Sequence, residues 1–206
     1  DLSIFLDAMV DHNKNDPLSS SKGASNSYYK NLLKREEAKY LIGFTDDFGI
    51  FPCDKEVRSM MHNTLKLVQN LGHEISNTYP DMSKSEYCFQ TLRAYMFYCT
   101  YKSLLKKDKS LIKEEVIWNI NKAKAITIDD LLEAEKARAS IYNDTMKFFD
   151  KFDFLIVPSS IVPPFNSQNK WVKKVEDTTF NNYVSWLMIA ASISLTNCPS
   201  IALATS

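Results

Sequence analysis

The chain has only four glycines among 206 residues, and no two of them are closer than six residues apart. A phosphate-binding loop needs several closely spaced glycines, so that backbone N–H groups can approach the phosphate. The nearest candidate, Ser19-Ser20-Ser21-Lys22-Gly23, lacks the Gly-x-x-x-x-Gly-Lys spacing. We therefore predict that this serine-rich segment is a solvated loop.

Clustered metal-binding residues are also missing. The sequence contains four cysteines and three histidines: Cys53, Cys88, Cys99, Cys198, His12, His62 and His73. None forms a Cys-x-x-Cys pair or a spacing typical of zinc ligands. We expect no metal and no cofactor, and scattered reduced cysteines favour a cytoplasmic protein.

The sequence has no excess of charge, with 25 basic and 25 acidic residues. This balance gives no reason to expect nucleic acid or a membrane as a partner. After Asp177 no charged residue occurs at all, which raises the question of a membrane helix. Serines, Asn197 and Pro199 interrupt that span, so we predict instead a buried helix over about 182–195, a turn at 196–199 and a buried strand over about 201–203. Asn182 is the candidate N-cap of this helix.

A short apolar run, Phe154 to Val157, is followed by the prolines 158, 163 and 164 and then by Phe165. This pattern predicts a central strand that is buried on both faces and that ends at the prolines. Ligands of open α/β sheets bind beyond the carboxyl ends of strands, so Phe165 is a candidate substrate contact. The alternative is a rigid surface turn, which the spacing alone favours.

Two further strands, over 39–44 and about 73–78, flank a helix that Asp54 caps and Gly72 ends. The helix carries an apolar stripe of Val57, Met60, Met61, Leu65, Val68 and Leu71. A strand, a helix and a strand over this length predict a βαβ unit with parallel strands. The connection after the first strand contains Asp46 and Asp47, and no third ligand accompanies them. We interpret it as a turn rather than a metal or acid–base site.

The remaining periodic segments predict helices over 1–11, 83–107, 113–124 and 127–151. Residues 12–30 form a polar loop. The last of these helices begins at Thr127, with Asp130 three residues further on, and this pair forms a variant of the capping box.

Several segments together, in this order, resemble the amidase signature family of serine hydrolases. They are Tyr40–Phe44 continuing into Pro52–Val57, Leu71-Gly72-His73-Glu74-Ile75, Phe152–Pro158, Val162–Phe165, Tyr183-x-x-Trp186-Leu187 and Leu195–Leu203. The resemblance covers essentially the whole chain. Asn197 stands where the family usually has glycine, but Asn also tolerates a left-handed backbone.

The resemblance implies a Ser–cis-Ser–Lys triad, which the family carries in a Gly-Gly-Ser-Ser-Gly segment and at an upstream lysine. Neither occurs here, so no catalytic residue is assigned to this chain. Ser159 and Ser160 lack the glycine-rich context of the family's nucleophile. What the resemblance assigns to this chain is a wall of the substrate pocket, formed by Phe165, Val184, Trp186, Leu187 and Ala191. Simple core packing is an equally good interpretation of any one of these residues.

The fold class that the resemblance implies is α/β, with a mixed β-sheet core flanked by helices on both faces. Residues 1–206 are then part of a single amidase domain whose catalytic segment lies upstream of residue 1, and both ends of the chain look cut. A fragment of this kind should be poorly soluble, because the face formed by 180–206 would lack its covering partner.

The first functional hypothesis is amide-bond hydrolysis by the parent protein. The alternatives are the A subunit of a tRNA-dependent amidotransferase complex and a non-catalytic relative that only binds ligand. The aromatic helix at Tyr87–Tyr101 is more similar to stand-alone amidases. The expected partners are a small-molecule amide substrate and, at most, a second copy forming a homodimer.

Overall fold

A computed structural model describes residues 2–19, 27–33, 38–107 and 109–204. The chain divides into two compact units, 1–39 and 40–206. Most of the serine-rich segment that was predicted to be a solvated loop, Ser20 to Gly23, lies outside the described residues. Among the helices that are described, none is long and apolar enough to cross a membrane.

The first unit contains two short helices, α1 (Leu2–Met9) and α2 (Tyr28–Leu33). The helix predicted over 1–11 is confirmed over 2–9, while residue 1 lies outside the described residues. The predicted polar loop ends earlier than expected, because α2 begins at Tyr28. Asp7 of α1 joins the two helices. Its carboxylate accepts hydrogen bonds from the backbone N–H of Tyr28 at 2.6 Å and from the hydroxyl of Ser27 at 2.7 Å. These bonds lower the pKa of Asp7, the Ser27 hydroxyl having the largest effect.

The second unit contains five strands and five α-helices among its described residues. In chain order they are β1 (Leu41–Phe44), α3 (Lys55–Asn70), β2 (Glu74–Ser76), α4 (Ser85–Tyr101), α5 (Glu114–Ala123), α6 (Ile128–Phe149), β3 (Phe154–Ile156), β4 (Lys174–Val175), β5 (Thr178–Thr179) and α7 (Met188–Ile193). Short 3₁₀ segments at 102–106, 109–111 and 185–187 connect some of them.

The main sheet has the order β2-β1-β3, and both strand pairs are parallel. The predicted βαβ unit formed by β1, α3 and β2 is confirmed, and so is the α/β class. The antiparallel pair β4–β5 forms a separate two-stranded sheet.

The position predicted for β3 is wrong. Within the described residues β1 is the central strand and β3 pairs with β1 alone, so β3 lies at an edge. Phe154 is 45% exposed rather than buried on both faces. An apolar run shows that a strand is at least partly buried, but it does not show how many neighbours the strand has.

Helix α3 begins as its sequence predicts. The carboxylate of Asp54 accepts a hydrogen bond from the backbone N–H of Glu56 at 2.8 Å, and Gly72 follows the helix with a φ of +89°. The predicted apolar stripe is too wide, because Met60 and Leu71 are exposed while Met61 and Leu65 are buried. One face of the helix therefore packs on the sheet side, and the edges of the stripe face solvent.

The helical layer is organised around α4, which contacts α5, α6 and α7. Helix α4 ends at Tyr101, earlier than predicted, and the chain continues to Lys106 as a 3₁₀ segment. Helix α6 has the predicted capping box. The Thr127 hydroxyl accepts the N–H of Asp130 at 3.1 Å, and the Asp130 carboxylate accepts the N–H of Thr127 at 2.9 Å.

The C-terminal part is less regular than predicted. In place of one helix over 182–195, a 3₁₀ segment leads into the six-residue α7. Asn182 does bind the backbone at the start of this segment, through its Oδ1 and the N–H groups of Val184 and Ser185. The buried strand predicted over 201–203 is wrong: Ile201 is 59% and Leu203 73% exposed, and no described strand lies beside them to complete a ladder. The predicted turn at 196–199 is present, and Asn197 has a φ of +57°.

Candidate functional site

The proline-rich segment leaves the carboxyl end of β3 and is tied to the rest of the unit by its backbone. The carbonyl of Ile161 accepts the N–H of Asp54 at 2.9 Å, and the side chain of Ile161 is buried in the core. The hydroxyl of Ser160 donates to the carbonyl of Val162 at 2.9 Å. These contacts hold the start of the segment in place, so that Phe165 projects from a fixed support.

Phe165 and Trp186 are brought together by this arrangement. Their ring centroids are 5.7 Å apart and the rings are nearly perpendicular, at 86°, which is a favourable edge-to-face geometry. Phe165 remains 43% exposed, whereas Trp186 is half-buried and packs against the core. The exposed ring of Phe165 is therefore supported by the half-buried ring of Trp186.

An open cavity of about 630 Å³ lies beside Phe165. One part of its lining is apolar or aromatic: Val162, Pro163, Pro164, Phe165, Trp171 and Val172. The other part is polar or basic: Gln168, Asn169, Lys170, Lys173 and Lys174. Its size falls in the usual range for small-molecule sites, and Trp171 and Val172 pack against the core behind it.

The other predicted wall residues lie elsewhere. Val184 and Ala191 are buried members of the hydrophobic core, and Leu187 is half-buried against it. Of the five predicted residues, only Phe165 lines the cavity. Trp186 forms a ring contact with Phe165. Contact of substrate with Val184, Leu187 or Ala191 stays a prediction.

A polar network links Tyr183 to α4 and α5, and it was not foreseen from the sequence. The hydroxyl of Tyr183 accepts hydrogen bonds from Asn119 at 2.5 Å and from Arg93 at 3.2 Å. The Arg93 guanidinium also lies over the rings of Phe97, at 4.5 Å, and Tyr183, at 5.9 Å. Arg93 is thus held by aromatic faces and one phenol, an arrangement that favours a cation away from bulk water.

A second set of contacts continues the network to Ser185. The carboxylate of Glu86 accepts the Ser185 hydroxyl at 2.5 Å and the Gln90 amide at 2.7 Å. Lys122 donates to the side-chain oxygen of Gln90, and burial lowers the pKa of Lys122. The network thus fixes the chain just before Trp186.

The sequence did carry a signal for this network. Glu86, Gln90 and Arg93 recur at the i, i+4, i+7 spacing of one helix face, and Asn119 with Lys122 occupies an i, i+3 pair. Polar residues at the spacing of a buried stripe indicate that the stripe meets polar partners rather than a purely apolar core.

The acidic turn after β1 is a structural ion-pair cluster. The guanidinium of Arg58 lies 2.9 Å from carboxylate oxygens of both Asp46 and Asp47. Asp47 also accepts the backbone N–H of Gly49 at 2.7 Å. Across the residues that the structure describes, no group of three or more His, Cys, Asp or Glu side chains could hold a metal ion.

No hydrogen bond to a basic side chain activates Ser159, Ser160, Cys53 or Cys88 in the part of the chain that the structure describes. The hydroxyl of Ser160 donates to the carbonyl of Val162, and its neighbour Ser159 is exposed. Cys53 and Cys88 are buried, and burial raises the pKa of each thiol to about 11, so that neither forms a thiolate near neutral pH. The cavity therefore has the size and lining of a ligand-binding site, and none of these four groups is activated as a nucleophile.

Comparison with known proteins places these features in context. The sequence profile of the amidase family matches residues 1–206. A comparison with curated protein sequences finds no match.

Solved structures of similar fold include a bacterial aryl acylamidase of the amidase signature family, with a TM-score of 0.71 and 15% identity over 87% of this chain. An inhibitor-bound vestigial protein complex, described as revealing the evolutionary origins of an s-triazine catabolic enzyme, gives a TM-score of 0.78 and 16% identity over 96% of this chain. A 6-aminohexanoate cyclic dimer hydrolase with bound substrate gives a TM-score of 0.67 and 13% identity over 94% of this chain. This chain covers 39%, 42% and 43% of those three chains, respectively.

Proposed function

Because the chain belongs to the amidase family, we propose that it forms part of an enzyme that hydrolyses the C–N bond of a non-peptide carboxylic amide. The observation that carries this proposal is the family match across all 206 residues. The fold shared with an aryl acylamidase and a cyclic dimer hydrolase supports it. Since the chain spans about two fifths of those proteins, the activity belongs to the complete protein.

The mechanism that we propose is the family's serine-dependent one. A serine attacks the amide carbonyl, a bridging serine passes its proton to a neutral lysine, and backbone N–H groups hold the oxyanion. None of these groups is assigned to residues 1–206. Ser159 and Ser160 are not candidates, because they lack the glycine-rich context of the family's nucleophile.

The role of this chain is to supply structural core and part of the substrate-pocket wall. Phe165 and Trp186 offer an aromatic edge against which the apolar part of an amide can pack. The Ser185 hydroxyl donates to the carboxylate of Glu86 and accepts from the amide of Asn182, and these bonds hold the residue next to Trp186. A fixed wall of this kind excludes water and orients the carbonyl, so that binding energy is not spent on ordering the pocket.

A fluorophosphonate probe on the full-length protein tests the proposed chemistry, with mapping of the labelled peptide. Labelling of a serine outside residues 1–206, abolished when the catalytic lysine is replaced, is the expected result. Labelling at Ser159 or Ser160 would show that the active site is misplaced here. A folded protein that does not react would favour a non-catalytic binding protein.

The wall is tested separately with Phe165→Ala and a matched control. Phe154 is exposed to a similar degree, 45% against 43%, but does not line the cavity. We expect Phe165→Ala to raise KM for an aryl amide about tenfold, the value of a lost half-buried aromatic contact. Phe154→Ala should leave KM unchanged, and equal effects of the two variants would remove Phe165 from the pocket wall.

A further inference from the structure

The cavity beside Phe165 has an uneven distribution of charge. Its lining includes three lysines, Lys170, Lys173 and Lys174, and no acidic residue. The acids nearest in sequence, Glu176 and Asp177, form the turn between β4 and β5 and do not line the cavity. The chain as a whole is neutral, so this excess of positive charge is local.

Only one of the three lysines has a carboxylate partner among the described residues. The ammonium of Lys170 lies 2.9 Å from a carboxylate oxygen of Glu114, and this ion pair raises the pKa of Lys170. Lys173 and Lys174 make no ion pair with a described carboxylate. Two lysines of the cavity lining therefore have no described carboxylate that neutralises them.

The opposite part of the lining is apolar and firmly supported. Trp171, Val172 and Val162 are half-buried and pack against the hydrophobic core, and Phe165 is braced by Trp186. Small-molecule sites commonly combine such an apolar wall with a few polar or charged groups that fix orientation. Here the charged groups all have the same sign.

From this combination we propose that the cavity binds a carboxylate-bearing amide, with the apolar body of the molecule on Trp171 and Phe165 and its carboxylate at Lys173 and Lys174. That the ligand is an amide rests on the proposed function, whereas its carboxylate group is inferred from the lysines of the cavity lining. The carboxylate remains charged throughout and takes no part in bond breaking. Its function is to select and orient the substrate.

Binding of a matched pair of probes to the full-length protein tests this directly: 4-phenylbutyrate and its uncharged methyl ketone analogue. Neither is hydrolysed, so calorimetric titration measures affinity alone. We expect the carboxylate to bind about tenfold more tightly than the ketone at low ionic strength, a preference that added salt weakens. A ratio of the two affinities near one in the unmodified protein would overturn the proposal.

The site is located with the double variant Lys173→Gln/Lys174→Gln. We expect it to reduce the preference from about tenfold to near one, each lysine contributing about threefold. The control is Lys66→Gln, which replaces an exposed lysine of α3 that lines no part of the cavity. Because the readout is a ratio of two affinities in one protein, a general loss of folded protein does not imitate the result.

A preference that survives in the double variant would place the carboxylate elsewhere and overturn the proposal. The outcome is independent of the fluorophosphonate experiment. If that probe labels a serine while the preference is absent, only the substrate class is wrong. If the preference is present without labelling, the cavity binds carboxylates in a protein that is not a serine hydrolase.

Discussion

Gly43 of β1 lies against Phe148 of α6 and against the backbone of Thr78, which follows β2. A Cβ atom added there would lie 2.5 Å from both the Phe148 ring and the backbone carbonyl oxygen of Thr78. The ring could move, but the carbonyl belongs to the backbone and could not move without disturbing the chain after β2. The absence of a side chain at this position therefore allows helix and sheet to pack at their observed separation.

We expect Gly43→Ala to lower the free energy of unfolding by about 3 kcal/mol, the upper part of the range for overpacking a core. The control is Gly72→Ala, where a Cβ meets open space and only the positive φ of +89° opposes the substitution. That variant should lose about 1 kcal/mol. Urea denaturation measures both, and a smaller loss for Gly43→Ala than for Gly72→Ala would contradict this account.

The two buried thiols should make the free energy of unfolding decrease at alkaline pH. Burial raises the pKa of Cys88 from 9.0 to about 11, and its thiol donates to the carbonyl of Ala134. Above pH 9 the unfolded chain releases this proton while the folded protein keeps it, so stability falls as the pH rises from about 9 to about 11. The expected loss is of the order of 1–2 kcal/mol for each thiol.

The contribution of one thiol is isolated by comparing the unmodified protein with Cys88→Ala at pH 8 and at pH about 10.5. The variant starts from a lower stability because it leaves a small cavity, but it should lose less between the two pH values. Equal losses in both proteins would show that Cys88 does not titrate differently in the folded state.

At the scale of elements, the long helix α6 depends on a cap that only a few atoms form. Thr127 and Asp130 satisfy each other's backbone N–H groups, and these bonds lower the pKa of Asp130, with the N–H of Thr127 as the largest cause. The negative charge of Asp130 also lies in the first helical turn, where it is favourable. One pair of side chains thus fixes where a 22-residue helix begins.

Thr127→Ala should lower the free energy of unfolding by about 1 kcal/mol, the usual cost of losing an N-cap. The carboxylate is stabilised by the cap, so its contribution is present at neutral pH and is lost as the pH falls below the ordinary value of 3.8. Thr127→Ser keeps the hydroxyl and serves as the control. Thermal unfolding of the unmodified protein and the two variants measures the effect. If Thr127→Ser were as destabilised as Thr127→Ala, the loss of the cap would not be the cause.

Features that depend on neighbouring residues could be predicted, and features that depend on distant ones could not. The caps at Asp54 and Thr127 and the turn at Asn197 follow from signals within about three residues. The edge position of β3 does not, because it depends on which strand lies beside β1. In the candidate site, Phe165 followed from its place after the prolines, but the partners of Tyr183 come from α4 and α5, and no local pattern pairs them.

At the scale of the whole molecule, residues 1–206 resemble about two fifths of proteins whose fold they share. Several apolar side chains of the second unit are exposed, including Phe154, Ile201 and Leu203. We expect residues 1–206 produced alone to self-associate, because these side chains lack the covering that a longer domain would provide.

Size-exclusion chromatography with light scattering checks this expectation. The double variant Ile201→Lys/Leu203→Lys should shift the population toward monomer, whereas Leu18→Lys, a change at an isolated exposed leucine of the first unit, should not. A monodisperse monomer of the unmodified chain would contradict the expectation and would mean that this part of the domain is self-sufficient.

The position of β1 between β2 and β3 has a consequence for biosynthesis. Leu41 is joined to Asp153 by hydrogen bonds that span 112 residues, whereas its other neighbour, Glu74, follows soon after it. At ribosomal rates of about 5–20 residues per second, roughly 6–20 seconds pass between the emergence of the two partners. Until β3 emerges, the edge of β1 that β3 later covers has no partner strand, and an unpaired strand edge of this kind favours chaperone binding.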